Sequence, residues 1–286
     1  MRKQAPGTHI LSVDVEDYFQ VSAFHEVIRA DSWEHWPSRI VPNTLRVLGL
    51  LDEYQIKATF FVLGWIAERF PSLIREISQN GHEIGCHSYR HRRIHQFQPE
   101  EFRQDTRLAR QAIESAAGSP VLGYRAPDWS INKQCFWALD ILAEEGFIYD
   151  SSISPVGRSA TRIPYTHRCR NGLSIREFPA ATLGFAGLRA RGAGGAYLRV
   201  LPMSYTRLVL ARMERVNAPA VVYFHPWELD TEQPRVKAGL TSRARHYTNL
   251  GGMQDRLRFL FDHFTFHAFR DMLMPSPAER WARARN

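Results

Sequence analysis

Two histidines four residues apart, in the stretch GHEIGCHSYRH (residues 81–91), have the spacing of a metal-binding pair. On a helical turn His87 and His91 would share one face, within reach of a single ion. Gly85 and the apolar residues before it read as a strand, so the pair belongs at a strand's C-terminal end, where α/β proteins build their sites. Twelve histidines occur in the chain, so surface placement is the competing reading.

A second cluster, VDVEDYF (13–19), closes an apolar run with Asp14, Glu16 and Asp17. Carboxylates this close repel one another unless a cation or a shared proton intervenes. Strand alternation puts Asp14 and Glu16 on one face. One can then bind a metal while the other acts as a general base. Asp17 is either an alternative ligand or an N-cap for the segment after it. YRAPDW (124–129) offers Arg125, whose guanidinium can hold a carboxylate in place. VYFHPW (222–227) ends an apolar strand on His225, a candidate acid or a core histidine. Aromatic residues beside these motifs (Tyr18, Phe19, Trp129, Trp227) are either sugar platforms or core. Asp150 either orients His225 or caps the turn 150–152.

Positioning these groups requires alternating strands and helices. Strands are expected at 9–15, 57–63, 82–86, 122–125 and 220–224. Helices are expected at 44–53 with Asn43 as N-cap, at 71–80, at Pro99–Ala117 before Gly118, and at 132–145 before Gly146. This alternation predicts an α/β fold, a mainly parallel sheet or barrel with helices outside. Residues 152–202, rich in Gly, Pro and Arg, read as loops and edge strands of the same domain, since Ile175, Phe178, Leu183 and Phe185 need burial. Within them RGAGG (191–195) lacks the Lys-Ser/Thr ending of a phosphate loop and reads as a flexible lid.

At 286 residues, 44% hydrophobic and 23% charged, the composition is that of an ordinary globular chain. Three scattered cysteines argue against a disulfide framework and a structural zinc site. The net charge of +8 comes from dispersed arginines without a zinc-finger or RNP pattern, so no nucleic-acid partner is expected. Arg280, Arg283 and Arg285 read as a solvated helix end. No apolar run is long enough for a transmembrane segment. The first seven residues lack the apolar core of a secretory signal, which sets the cytoplasm, or the inner face of the membrane, as the expected location.

The order of these motifs resembles the NodB-type polysaccharide deacetylases, carbohydrate esterase family 4, over residues 10–225. VDVEDYF, YDSSI (149–153), HPWE (225–228) and RHYTNL (245–250) are similar to the subgroup found beside exosortase-linked exopolysaccharide genes. The resemblance implies a distorted (β/α) barrel of the NodB type. It implies one deacetylase domain over 1–286, with the catalytic barrel at about 8–240 and an extension at 241–286 packed on it. Carried over position by position, it makes His87 and His91 ligands of a divalent metal, Zn²⁺ by preference. Asp14 becomes the base, His225 the acid and Arg125 the residue orienting Asp14. The Asp128 backbone N–H becomes an oxyanion donor, and Trp129, Trp227 and Tyr18 contact substrate. The implied substrate is an acetylated amino-sugar polysaccharide or its lipid-linked precursor. The chain departs from the family's adjacent aspartates, which favours Glu16 as third ligand over Asp17. Asp128 also stands where the family has an aromatic, shifting Trp129 by one position.

Other classes share parts of this pattern. Two histidines and a carboxylate also describe the non-haem iron facial triad, which sits on jelly-roll strands rather than on alternating strands and helices. A cyclic-amide hydrolase on the same barrel, or a non-catalytic polysaccharide binder, would keep the fold.

Overall fold

The computed structural model describes residues 8–155, 163–185 and 188–273. The expectations for residues 1–7 and for Arg280, Arg283 and Arg285 fall outside these residues, as does the Phe185 side chain. In chain order the elements are β1 (Thr8–Val15), α1 (Ile40–Glu53), β2 (Thr59–Val62), α2 (Gly64–Arg69), α3 (Pro71–Gln79), β3 (Glu83–Cys86) and α4 (Pro99–Ala117). Then come β4 (Gly123–Tyr124), α5 (Trp137–Glu144), β5 (Tyr149–Asp150), β6 (Tyr165–Arg168), β7 (Ser174–Glu177), β8 (Thr182–Phe185) and β9 (Leu188–Arg191). The last are α6 (Gly195–Val200), α7 (Met203–Arg215), β10 (Val221–Phe224), α8 (Leu240–Tyr247), α9 (Met253–His263), β11 (Thr265–His267) and α10 (Phe269–Leu273).

The strands form one curled sheet in the order β10-β1-β2-β3-β4-β5-β7-β6, parallel except for the β6–β7 hairpin. This is the distorted (β/α) barrel of the NodB type. A separate β8–β9 hairpin comes next, and Gly194 then bridges to Tyr223 of β10. The C-terminal segment adds a strand of its own, with β11 pairing in parallel with residues 8–10 of β1.

Side-chain alternation sorts β1 into two environments. Leu11, Val13 and Val15 join the large apolar layer between sheet and helices. Ile10 faces the barrel interior with Phe61, Tyr149, Phe178, Tyr223 and Phe269, and Ser12 and Asp14 share its side of the strand. Two glycines make this filling possible. A Cβ on Gly85 would lie 2.5 Å from the Phe61 ring, and one on Gly123 would lie 1.9 Å from the Tyr149 ring. Phe269, from beyond the expected barrel limit, stacks on Tyr149 at 5.0 Å inside the barrel.

Local signals explain most boundaries. Pro99 opens α4, Glu101 reaches back to the backbone N–H of Gln98 at 2.9 Å, and Gly118 at φ 68° ends it. Two boundaries differ from expectation. Asn43 does not cap α1; it lies inside the helix, buried, and its Nδ2 donates to Asp230 at 3.1 Å. The tertiary bond to Asp230 gives this amide a partner that local capping would otherwise supply. The helix expected at 132–145 begins instead as a 3-10 turn capped by Asn132, and only Trp137–Glu144 is α-helical.

Candidate active site

Four strands end on the residues that could do chemistry. Glu16 comes directly after β1, His87 after β3, Arg125 after β4 and His225 after β10, which gathers them on the barrel's C-terminal rim. His87 donates its backbone N–H to Val62 and Arg125 donates its own to Cys86, so each is tied to the neighbouring strand end.

His87 and His91 do meet, with ring centroids 5.3 Å apart, but not on a helical turn. The segment is a loop in which Ser88 and His91 take φ values of 65° and 52°, and the Ser88 hydroxyl accepts the His91 N–H at 3.1 Å. Left-handed backbone at two non-glycine residues is a local cost that functional loops often carry.

Donor atoms of Glu16, His87 and His91 all lie within 4.8 Å of one another, and all three residues are buried. His91 Nε2 stands 2.8 Å from Glu16 Oε2, an atom with no other polar partner. The His87 Nδ1 lies 2.7 Å from the Arg125 carbonyl, which leaves Nε2 as the lone-pair nitrogen. Burial holds the His87 imidazole down to about 4, in the neutral form a metal requires. Burial alone would raise the Glu16 carboxyl, but the neighbouring His91 and His225 overturn that and keep it ionised, at about 2. Two neutral imidazoles, one carboxylate and room for water form the donor set of a catalytic zinc site. These residues fit a divalent cation.

Asp17 is not part of this set. It turns away from the pocket and accepts the Ser38 hydroxyl at 2.6 Å and the N–H groups of Arg39 and Tyr18 at 2.9 and 3.0 Å. Its carboxylate therefore caps local backbone, and burial moves its pKa up to about 6.

Asp14 and His225 flank the triad. Arg125, fully buried, donates from Nη1 to Asp14 Oδ1 at 2.8 Å and to the Ser12 hydroxyl at 2.7 Å. Its guanidinium lies 4.2 Å from the Phe61 ring centre and 4.6 Å from that of Trp129. Asp14 Oδ2 is left facing His225 Nε2 at 4.0 Å, and Glu16 Oε1 lies 3.5 Å from the same nitrogen. The His225 Nδ1 is 2.9 Å from Glu228 Oε2. Burial pushes the His225 imidazole down, but the carboxylates of Glu16, Glu228 and Asp14 outweigh it and raise its pKa to about 9. A protonated His225 with Nε2 toward the pocket is placed to give up a proton.

Several expected roles need correction. Asp150 does not reach for His225; it accepts from the hydroxyl and N–H of Ser152 at 2.5 and 3.1 Å. Glu228 is the orienting carboxylate, brought round by the 3-10 turn Pro226–Leu229. Tyr18 and Phe19 are fully buried and pack on each other at 5.2 Å, so Tyr18 contacts core rather than substrate. Trp129 and Trp227 line the pocket, but each is only 5% exposed. Trp227 stacks on His225 at 5.2 Å and His246 at 4.0 Å, and its Nε1 donates to Glu16 at 3.3 Å. These indoles brace catalytic groups and present no open face to a sugar. The RGAGG run is not a free lid: Arg191 bonds Ser154 and the Asp128 carbonyl, and a Cβ on Gly194 would lie 2.1 Å from the Tyr223 ring.

Asp128 takes a left-handed backbone, φ 57°, beside the pocket, and its carboxylate pairs with Arg93 at 2.6 Å. Tyr197, half-buried on α6, also lines the pocket. Sequence reasoning missed Tyr197, Glu228 and Arg199; HPWE already contained Glu228, and a carboxylate three residues after a strand-terminal histidine was the available signal.

Residues 32–145 match the family model described as polysaccharide deacetylase. Residues 151–274 match one described as a domain of unknown function (DUF3473). Among curated proteins, a peptidoglycan-N-acetylglucosamine deacetylase of Bacillus cereus is 33% identical over 98 residues, 34% of this chain and 36% of that protein. A chitooligosaccharide deacetylase of a Bradyrhizobium strain is 31% identical over 97 residues, 34% of this chain and 42% of that one. The chain thus spans well under half the length of these curated relatives. A crystal structure from Mycobacterium smegmatis, assigned to the polysaccharide deacetylases, covers 99% of this chain and 93% of its own at TM-score 0.64 and 20% identity, a likeness of fold.

Proposed function

With residues 32–145 belonging to the polysaccharide deacetylase family, we propose that this chain is a metal-dependent hydrolase that removes N-acetyl groups from an amino-sugar saccharide. The observation that carries this reading is the placing of Asp14 and His225 beside the Glu16–His87–His91 triad, with Asp14 Oδ2 and His225 Nε2 4.0 Å apart.

A divalent cation held by Glu16, His87 and His91, zinc by preference, would acidify water and polarise the acetyl carbonyl. Asp14, with Oδ1 held by Arg125, receives the proton of the attacking water on Oδ2. His225 delivers its Nε2 proton to the departing nitrogen, without which an amine is a poor leaving group. Trp227 holds Glu16 through its indole N–H, and the Asp128 backbone N–H is the donor assigned to the oxyanion.

The names of the relatives support an N-acetylated glucosamine unit as substrate. The motifs VDVEDYF, YDSSI, HPWE and RHYTNL support a place in exopolysaccharide biosynthesis, acting on the polymer or its lipid-linked precursor. Half-buried Tyr197 is the aromatic wall available to a sugar ring. The test is product analysis by mass spectrometry after incubation with N-acetylglucosamine oligomers and, separately, with cyclic amides. Free amine on the oligomer, with the cyclic amides intact, is expected. Ring opening without oligomer deacetylation would overturn the substrate class.

A further inference from the structure

We propose that Arg199 of α6 is a positioning residue that fixes His225 through Glu228, and that the RHYTNL segment is its seat. This inference rests on the reading of His225 as proton donor. Arg199 is 1% exposed and Glu228 fully buried. Arg199 Nε donates to Glu228 Oε1 at 2.5 Å, while Glu228 Oε2 accepts both the backbone N–H and Nδ1 of His225 at 2.9 Å. The carboxylate is thus divided, one oxygen for the guanidinium and one for the imidazole.

The rest of the guanidinium is answered by backbone. Nη1 donates to the Thr248 carbonyl at 2.5 Å and Nη2 to the Arg245 carbonyl at 3.0 Å. Asn249, at φ 56°, returns its Nδ2 to the Arg199 carbonyl at 2.7 Å. Both accepting carbonyls lie at the C-terminal end of α8, the end that favours a cation. The same segment supplies His246, which stacks on Trp227, which stacks on His225. The His225 ring is therefore held from its edge by Glu228 and from its face by Trp227, and both supports run back to residues 245–249.

A buried ion pair is not in itself more stabilising than apolar side chains of equal volume. Its consequence here is geometric: Nδ1 carries its proton toward Glu228, and Nε2 is the atom left facing Asp14 and Glu16. All the parts of this device lie within residues 151–274, so the inference assigns a task to a segment whose family has no stated function.

The experiment compares the wild type with Arg199→Lys, Arg199→Met and Glu228→Gln, each first checked for a cooperative melt. Each is assayed on an N-acetylated oligosaccharide, whose amine must be protonated to leave, and on an activated aryl acetate, whose phenolate need not be. On the amide, kcat should fall about 10- to 100-fold with KM within about 3-fold. Ester turnover should stay within about 3-fold of wild type. Equal losses on both substrates, or unchanged amide turnover, overturn the proposal. Imidazole NMR of the same proteins reads the hydrogen-bonded Nδ1 proton of His225 independently of turnover. Its signal should be present in the wild type and lost in Arg199→Met; its persistence there overturns the proposal. A wild type that cleaves no amide would instead sink the deacetylase reading, while the NMR comparison still decides the role of Arg199.

Discussion

Arg125 Nη1 stands 2.8 Å from Asp14 Oδ1, and neither side chain is more than 4% exposed. A guanidinium at this depth is tolerated because Asp14, Ser12 and two groups of Ser151 answer its donors. The pair aims the second Asp14 oxygen at the pocket and makes the base part of the fold's electrostatic balance.

Breaking the pair should therefore cost stability as well as activity. Arg125→Met leaves the Asp14 carboxylate buried without its partner, and urea denaturation should show a loss of about 3–5 kcal/mol. A midpoint within experimental error of wild type would mean that Asp14 is not held as described.

Glu16, His87 and His91 should set metal content, and Asp17 should not. Glu16→Ala is expected to reduce bound zinc from one equivalent to none, whereas Asp17→Ala keeps the metal and loses about 1–2 kcal/mol of stability through its broken hydrogen bonds. Elemental analysis after dialysis gives the stoichiometry. Retention of zinc by Glu16→Ala with loss in Asp17→Ala would reverse the assignment.

Much of this site is legible in the residues themselves. The apolar runs ending in Asp14, His87 and His225 read as strands because continuous burial on both faces of a parallel sheet leaves that pattern. Alternation along β1 correctly pairs Asp14 with Glu16. Geometry beyond the strand ends is less readable. The HxxxH spacing suggests a helical turn, but left-handed Ser88 and His91 set a loop that brings the rings together by another path. Tyr18 lies past the end of a strand, where alternation no longer applies, and tertiary packing buries it. Motif order alone pairs Asp150 with His225, whereas a 3-10 turn delivers Glu228, and Arg199 arrives from a six-residue helix in an irregular stretch without periodicity.

Tyr197 and Tyr18 should part company in kinetics. Tyr197→Ala removes a half-buried wall of the pocket and should raise KM for acetylated oligomers about 5-fold with kcat little changed, the signature of lost uniform binding. Tyr18→Phe should leave KM within about 2-fold, because the ring is core. A larger KM effect at Tyr18 would return it to the substrate surface.

His82 gives the protein an acid-sensitive element away from the metal site. Its Nδ1 accepts the Ala58 N–H at 3.2 Å, and burial, helped by Lys57 and Arg270, holds its pKa down to about 4. The unfolded chain binds this proton more readily, so the stabilisation is whole above pH ~6.5 and is lost as pH falls toward ~4, up to about 3 kcal/mol. Urea midpoints across this range should drop less steeply in His82→Asn than in the wild type; parallel slopes would remove His82 from the account.

The most direct test is acetate release from N-acetylglucosamine oligomers by metal-stripped protein, before and after one equivalent of Zn²⁺, with Asp14→Asn alongside. Release should be absent without the metal, appear on its addition, and fall by about 10²–10⁴-fold in Asp14→Asn. Acetate release that ignores both the metal and the substitution, or none from the zinc-loaded wild type, would contradict a metal-dependent deacetylase with Asp14 as its base.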